Sequence, residues 1–160
     1  MTLGLNPPPL QVPPSLLSDK QASAFFSGLI NTIYQIWNAL YNIRFNAKVK
    51  TTDATTTALI RTKVADSKTV MLVCYIVARR TGGTSGTAGD SAFYVLTGAY
   101  KNIAGVLTGI GTPDLVAGED QAAWNVGFST SGTDAIVTVT GAANNDVTWE
   151  GTLSVYEVGS

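Results

Sequence analysis

The sequence predicts a mainly β protein: an antiparallel, jelly-roll-like sandwich over residues 47–160, preceded by an amphipathic helix over 18–46 and a proline-rich arm over 1–17. Three features set this expectation. Apolar residues recur at helical spacing only between Ala22 and Ile43. Short β-branched and aromatic runs broken by Gly, Asn and Asp fill the rest of the chain. No later segment supplies the crossover helices that parallel strands need.

The arm, MTLGLNPPPLQVPPSLL, contains Pro7, Pro8, Pro9, Pro13 and Pro14. Proline fixes φ and removes a donor, so this stretch is expected to be extended and unable to join a helix or central strand. Two readings stand side by side: a free leader, or an attachment peptide that docks in a partner's groove. A secretory signal is not expected, because the start lacks a basic region and prolines interrupt its apolar residues.

Ser18 or Asp19 is a good N-cap, and Gln21 stands where a capping box places its amide. Ala22, Phe26, Leu29, Ile33, Ile36, Leu40 and Ile43 then follow in alternating steps of four and three, a heptad seam. Isoleucine at both core positions favours three or more strands over two, so the seam predicts a trimeric bundle. The same wide stripe also suits a helix packed on its own β-domain. Residues 21–43 carry no charge, yet Asn31, Gln35, Asn38 and Asn42 line the polar side, which argues against a membrane span.

Strands are expected within Lys48 to Val64, with a break at Thr52 to Ala54, and over Thr69 to Arg80, where TVMLVCYIVARR is an unbroken apolar run. A glycine-rich turn then leads to a strand over Ser91 to Asn102, in which Tyr94, Leu96 and Tyr100 share one parity. Val106 to Gly111 is read as a strand followed by a loop over Pro113 to Asp120. Trp124, Val126 and Phe128 alternate, Ala135 to Thr140 returns the chain, and Val147 to Val158 places Val147, Trp149, Leu153 and Val155 inward.

The chain has no histidine and one cysteine, Cys74, which excludes Ser-His-Asp and Cys-His catalysis, histidine-ligated zinc and an internal disulfide. No catalytic, cofactor or metal residues are expected. Asp114, Glu119 and Asp120 form the densest acidic group, without the spacing of a calcium loop or of a glycosidase pair. The glycines between Arg80 and Ser91 join two strands and so cannot cradle phosphate ahead of a helix; Arg79, Arg80 and Asp90 are expected to pair at the hairpin's base.

Residues 44–80 hold eight basic side chains against two acidic, and residues 81–160 one against eight. With no groove-reading motif beside the basic stretch, complementary contacts within or between subunits are expected rather than a nucleic-acid partner. Charged residues are 13% of the chain, half the usual share, which points to burial in an assembly. Tyr100 and Tyr156 are read as the exposed aromatics best suited to stack on a host surface glycan.

The stretches Thr51-Thr52-Asp53-Ala54-Thr55, Ala78-Arg79-Arg80-Thr81, Gly89-Asp90-Ser91-Ala92, Thr140-Gly141-Ala142 and Trp149-Glu150-Gly151-Thr152 are distinctive. Together they make Thr51 to Val158 resemble a β-domain found at the C-terminal end of tailed-bacteriophage tail fibres and minor virion structural proteins. The resemblance implies a non-enzymatic, commonly trimeric virion component assembled in the host cytoplasm. It further implies attachment to other virion proteins, in tail or capsid, through residues 1–45, with the sandwich displayed outward. The alternatives are a capsid decoration protein, such as a cement or head fibre, and a carbohydrate-binding module.

Overall fold

The structure, a computed structural model, describes residues 24–33 and 44–159, and its chain forms two compact units, Met1–Ile43 and Arg44–Ser160. In the first unit, residues 24–33 form helix α1. Ala22, Ile36, Leu40, Ile43 and the five prolines of the arm lie outside the described residues.

The second unit is built from eight strands: β1 Arg44–Thr51, β2 Thr56–Lys63, β3 Thr69–Gly83, β4 Ser91–Ile103, β5 Val106–Glu119, β6 Asn125–Ser131, β7 Asp134–Thr140 and β8 Asn145–Val158. They form a five-stranded sheet in the order β1-β8-β3-β4-β5 and a three-stranded sheet in the order β2-β7-β6, antiparallel throughout. β3, β4 and β5 are a meander whose first strand lies beside the returning β8, which is Greek-key order. β1 and β2 enter opposite sheets and pair with β8 and β7, so the beginning and the end of the unit are joined in both sheets.

Residues 44–46, expected to end the helix, instead open β1. Phe45 pairs with Leu153 and Asn46 with Thr152, whose hydroxyl donates to the Asn46 Oδ1 at 2.7 Å. A partner strand about a hundred residues away overrides the local helical register. β5 likewise runs past Gly111, where a loop is expected. Its pairing with β4 stops at Ala99↔Ile110 and resumes at Thr97↔Asp114, with Gly111 at positive φ and Pro113 in the excursion. Pro113 is tolerated because β5 is an edge strand, where a missing N–H forfeits no ladder bond.

The core lies between the sheets. Leu72, Cys74 and Ile76 of β3, Tyr94 and Leu96 of β4, and Val147, Trp149 and Leu153 of β8 face Val126 of β6, Val137 and Val139 of β7, and Leu59 of β2. Trp149 is fully buried at its centre, stacked with Tyr94 at 6.2 Å between ring centroids and met edge-on by Trp124 at 5.8 Å. Its indole N–H donates to the Thr51 hydroxyl at 2.9 Å. Gly151 also faces inward, and the Leu59 side chain from the opposite sheet fills the space a Cβ would need. A bulge beside Leu59 lets it and Ile60 both be buried.

Topology brings three of the basic side chains of residues 44–80 to acids of the C-terminal half. β1 lies beside β8, so Lys48 reaches Glu150 at 3.8 Å and Lys50 reaches Asp146 at 2.8 Å; Lys68 meets Glu157 at 3.4 Å. The expected pairing of Arg79 and Arg80 with Asp90 does not form. The Arg80 guanidinium donates instead to the Ser85 and Gly83 carbonyls, each at 2.7 Å, while Asp90 accepts from the Thr87 N–H and the Gln121 amide. The glycine-rich turn thus wraps its carbonyls around an arginine.

Trp149→Ala is expected to lower unfolding free energy by about 3–5 kcal/mol, since it empties the centre of the core. Thr51→Val, which keeps the volume but leaves the indole N–H unpaired, should cost about 1–3 kcal/mol. Urea titration of both variants checks the values; an unchanged midpoint for Trp149→Ala would contradict the packing described.

Candidate interaction surface

The acidic group of Asp114, Glu119 and Asp120 is held apart or put to structural use. The Glu119 carboxylate accepts the Tyr94 hydroxyl at 2.6 Å, Asp120 accepts the Ser91 N–H at 2.9 Å, and Asp114 stands on the exposed face of β5. Among the described residues no group of three His, Cys, Asp or Glu side chains comes together as a metal site. Burial pushes the Cys74 thiol up to about 12, which removes the thiolate that nucleophilic chemistry requires. Burial, then the hydrogen bond and charge of Glu119, raise the Tyr94 phenol above its ordinary range.

Of the two tyrosines read as glycan contacts, the structure corrects one. Tyr100 is only 7% exposed, its ring set edge-on to Phe128 at 5.9 Å. It shares inward parity with Tyr94 and Leu96, and parity decides. Tyr156, at 61%, is exposed.

What the surface does offer is an apolar sheet face. The outward residues of a half-buried strand are usually polar, yet on β3 they are Met71, Val73, Tyr75 and Val77, and three of these are 49–58% exposed. Strand register extends the patch sideways. Val77 stands beside Phe93, Tyr75 beside Val95 and then Val116, and Met71 lies between Tyr156 and Ala99, with Ile110 beyond. Phe93 lies over Gly118 of β5, whose missing side chain makes room for the ring. Two shallow depressions mark the face, one bounded by Tyr75, Phe93 and Thr152, the other by Met71, Ala99 and Tyr156.

β5 is open on both sides. The three-stranded sheet leaves it uncovered, so Leu115, on inward parity, is exposed along with the outward Ile110 and Val116. In α1, Leu29 and Ile33 of the predicted seam are also exposed, and Phe26 is half-buried. Among the described residues, α1 thus carries exposed apolar side chains. Among the described residues, no helix is long and apolar enough to cross a membrane. The unbroken apolar run of β3 is the sequence signal for the outer face: a strand greasy on both parities needs cover on both sides.

No protein-family model and no curated protein matches the sequence. Solved structures similar at low level include two tailspike proteins. One is the crystal structure of the Acinetobacter baumannii phage AM24 tailspike protein, at TM-score 0.41 and 10% identity over 74% of this chain and 27% of that one. The other is that of the Acinetobacter phage vB_ApiP_P1 tailspike protein, at TM-score 0.39 and 12% identity over 73% of this chain and 21% of that one. The chain thus spans about a quarter of the tailspike chains it matches.

The buried thiol and phenol give a pH dependence with a definite sign. Cys74 keeps its proton to about 12, while in the unfolded chain it ionises near its ordinary value of 9.0. Its contribution is therefore complete below about pH 9 and lost as pH rises towards 12. The Tyr94 shift acts in the same direction. Urea midpoints measured from neutral to alkaline pH should fall across this window, less steeply in Cys74→Ala, and native Cys74 should resist alkylation until urea unfolds the chain.

Proposed function

We propose that the chain is a non-enzymatic structural subunit of a bacteriophage virion, homotrimeric and tail-associated. In this reading it attaches to other virion proteins through residues 1–45 and presents its β-sandwich outward. The observation that carries the assembly role is that both units leave apolar side chains open, on α1 and on the five-stranded sheet. A monomer seldom exposes contiguous apolar patches of this kind, and a subunit must. The resemblance of Thr51 to Val158 to fibre-borne β-domains supports the virion setting. The exposed Leu29 and Ile33 fit a seam meant for neighbouring helices.

The scarcity of chemistry supports the non-enzymatic part of the proposal. The sequence has no histidine, and the acids of the β5 end are taken up by Tyr94 and by the Ser91 backbone. Such a domain contributes shape and contact area.

Light scattering should give three times the chain mass for the full chain. Deleting residues 1–17 should leave the thermal midpoint unchanged and abolish incorporation into particles; normal incorporation would reduce the arm to a leader. Incubation with host capsular polysaccharide should release no new reducing ends. Their release would overturn the non-enzymatic reading.

A further inference from the structure

We infer that the open edge of β6 is a docking slot for one extended, uncharged polypeptide segment of another protein, which joins the three-stranded sheet as its fourth strand and covers the inner side of β5. The slot lies within a single copy, so it goes beyond the trimeric reading and does not need it.

Natural sheets guard their edges with charge, proline or bulges, and the β1, β2 and β5 edges are guarded in this way. β1 carries Lys48 and Lys50, β2 carries Arg61, Lys63 and a bulge, and β5 is divided by the excursion at Gly111 to Pro113. β6, NVGFSTS, has no charge, no proline and no register shift. Its open backbone groups form a regular row. Ser131 and Asp134 flank a two-residue turn and so exchange hydrogen bonds, and alternation then points the N–H and C=O groups of Thr130, Phe128 and Val126 away from β7. The Val126 N–H accordingly donates to the Asn125 Oδ1 at 2.8 Å. Among the described residues no strand lies beyond β6.

Beside that edge lies an uncovered floor. Phe128 of β6 packs over Gly98 and Tyr100 of β4, so the place next to β6 lies over β5, because strands in both sheets are about 4.8 Å apart. On inward parity β5 presents Leu107, Gly109, Leu115 and Ala117, none of them charged, and Leu115 is 44% exposed. A strand with apolar residues at every second position buries these and pairs its backbone with Phe128 and Thr130 at once. A lipid chain covers the floor and leaves the ladder unpaired, and a charged segment loses its solvation there.

Geometry turns away a folded second copy. If its β6 entered the slot with the same face inward, its own β4 would fall on β5; with the face reversed, Asn125, Ser129 and Ser131 would lie on the apolar floor. Its other edges carry the guards named above. A lone strand brings no second layer, and it fits.

The test uses the full chain and a fluorescein-labelled peptide of residues 135–140, AIVTVT. This is the uncharged sequence that β6 already accepts on its other side, with Ala135, Val137 and Val139 on one parity. Its anisotropy should rise to saturation as the chain is added, and a control peptide with Val137→Pro should not bind. Thr130→Pro removes a donor from the open edge without costing a ladder bond, and Leu115→Lys sets a charge on the floor at an exposed position. Each variant should weaken peptide binding by about tenfold or more while the cooperative melt persists. No binding by the wild type, or equal binding by the wild type and both variants, would overturn the inference. Binding that appears only once residues 1–17 are deleted would give the slot to this chain's own arm and overturn the partner protein. A wild type that binds the peptide at the monomer mass would overturn the trimer and keep the slot.

Discussion

Trp149 is the side chain on which the sandwich turns. It is fully buried between the sheets, and its indole N–H must find a partner there or cost the fold about 1–3 kcal/mol. The partner is Thr51, at the last position of β1, so the hydrogen bond holds the edge strand on β8. The ring is flanked by Tyr94 of β4 and by Trp124, just ahead of β6. Tyr94 in turn carries its hydroxyl out to Glu119 at the end of β5. One aromatic cluster thereby links the edge, the centre and the far side of the five-stranded sheet to the three-stranded sheet above it.

Fit around that cluster depends on what is absent as well as on what is present. Gly151 leaves room for Leu59 to descend from the opposite sheet, and Gly98 leaves room for Phe128. A Cβ at either place would force facing side chains to move, in an interior packed to crystal-like density. These close approaches bring the sheets together over the cluster.

The sheets are unequal, and that inequality shapes the surface. Three strands do not cover five, so β5 projects with Leu115 and Val116 open on its two sides. β3 and parts of β4 and β5 are apolar on the outward parity too, which leaves Tyr75, Val77 and Phe93 in solvent in a single chain. An edge strand of this length invites unwanted pairing, and the interruption at Gly111 and Pro113 guards against it. The same residues that keep the edge from recruiting strands leave the faces free for side-chain contact.

Alternation with a period of two is a local property, and it makes the core legible from the residues alone: Val147, Trp149, Leu153 and Val155 face inward as their spacing requires. The breaks after Thr51, where the Thr55 N–H donates to the Asp53 carboxylate, around the glycines beyond Arg80 and at Asn144 are equally local, because a few residues decide them. The inward place of Tyr100 follows from the same parity, and reading that tyrosine as a surface aromatic goes against it. Other features lie beyond local reading. Arg44 to Asn46 are strand because β8 offers them a ladder, and Asp114 to Glu119 are strand because β4 does. Lys48 and Lys50 find acidic neighbours for the same reason. The outward apolar residues become one patch only when register sets β3, β4, β5 and β8 side by side. The sequence alone determined the facing of core residues such as Val147 and Trp149 and the turns at the glycines beyond Arg80 and at Asn144, since both follow from neighbouring residues. Which strands lie together was decided by the tertiary structure, since pairing energy comes from residues up to about a hundred positions apart that no local period encodes.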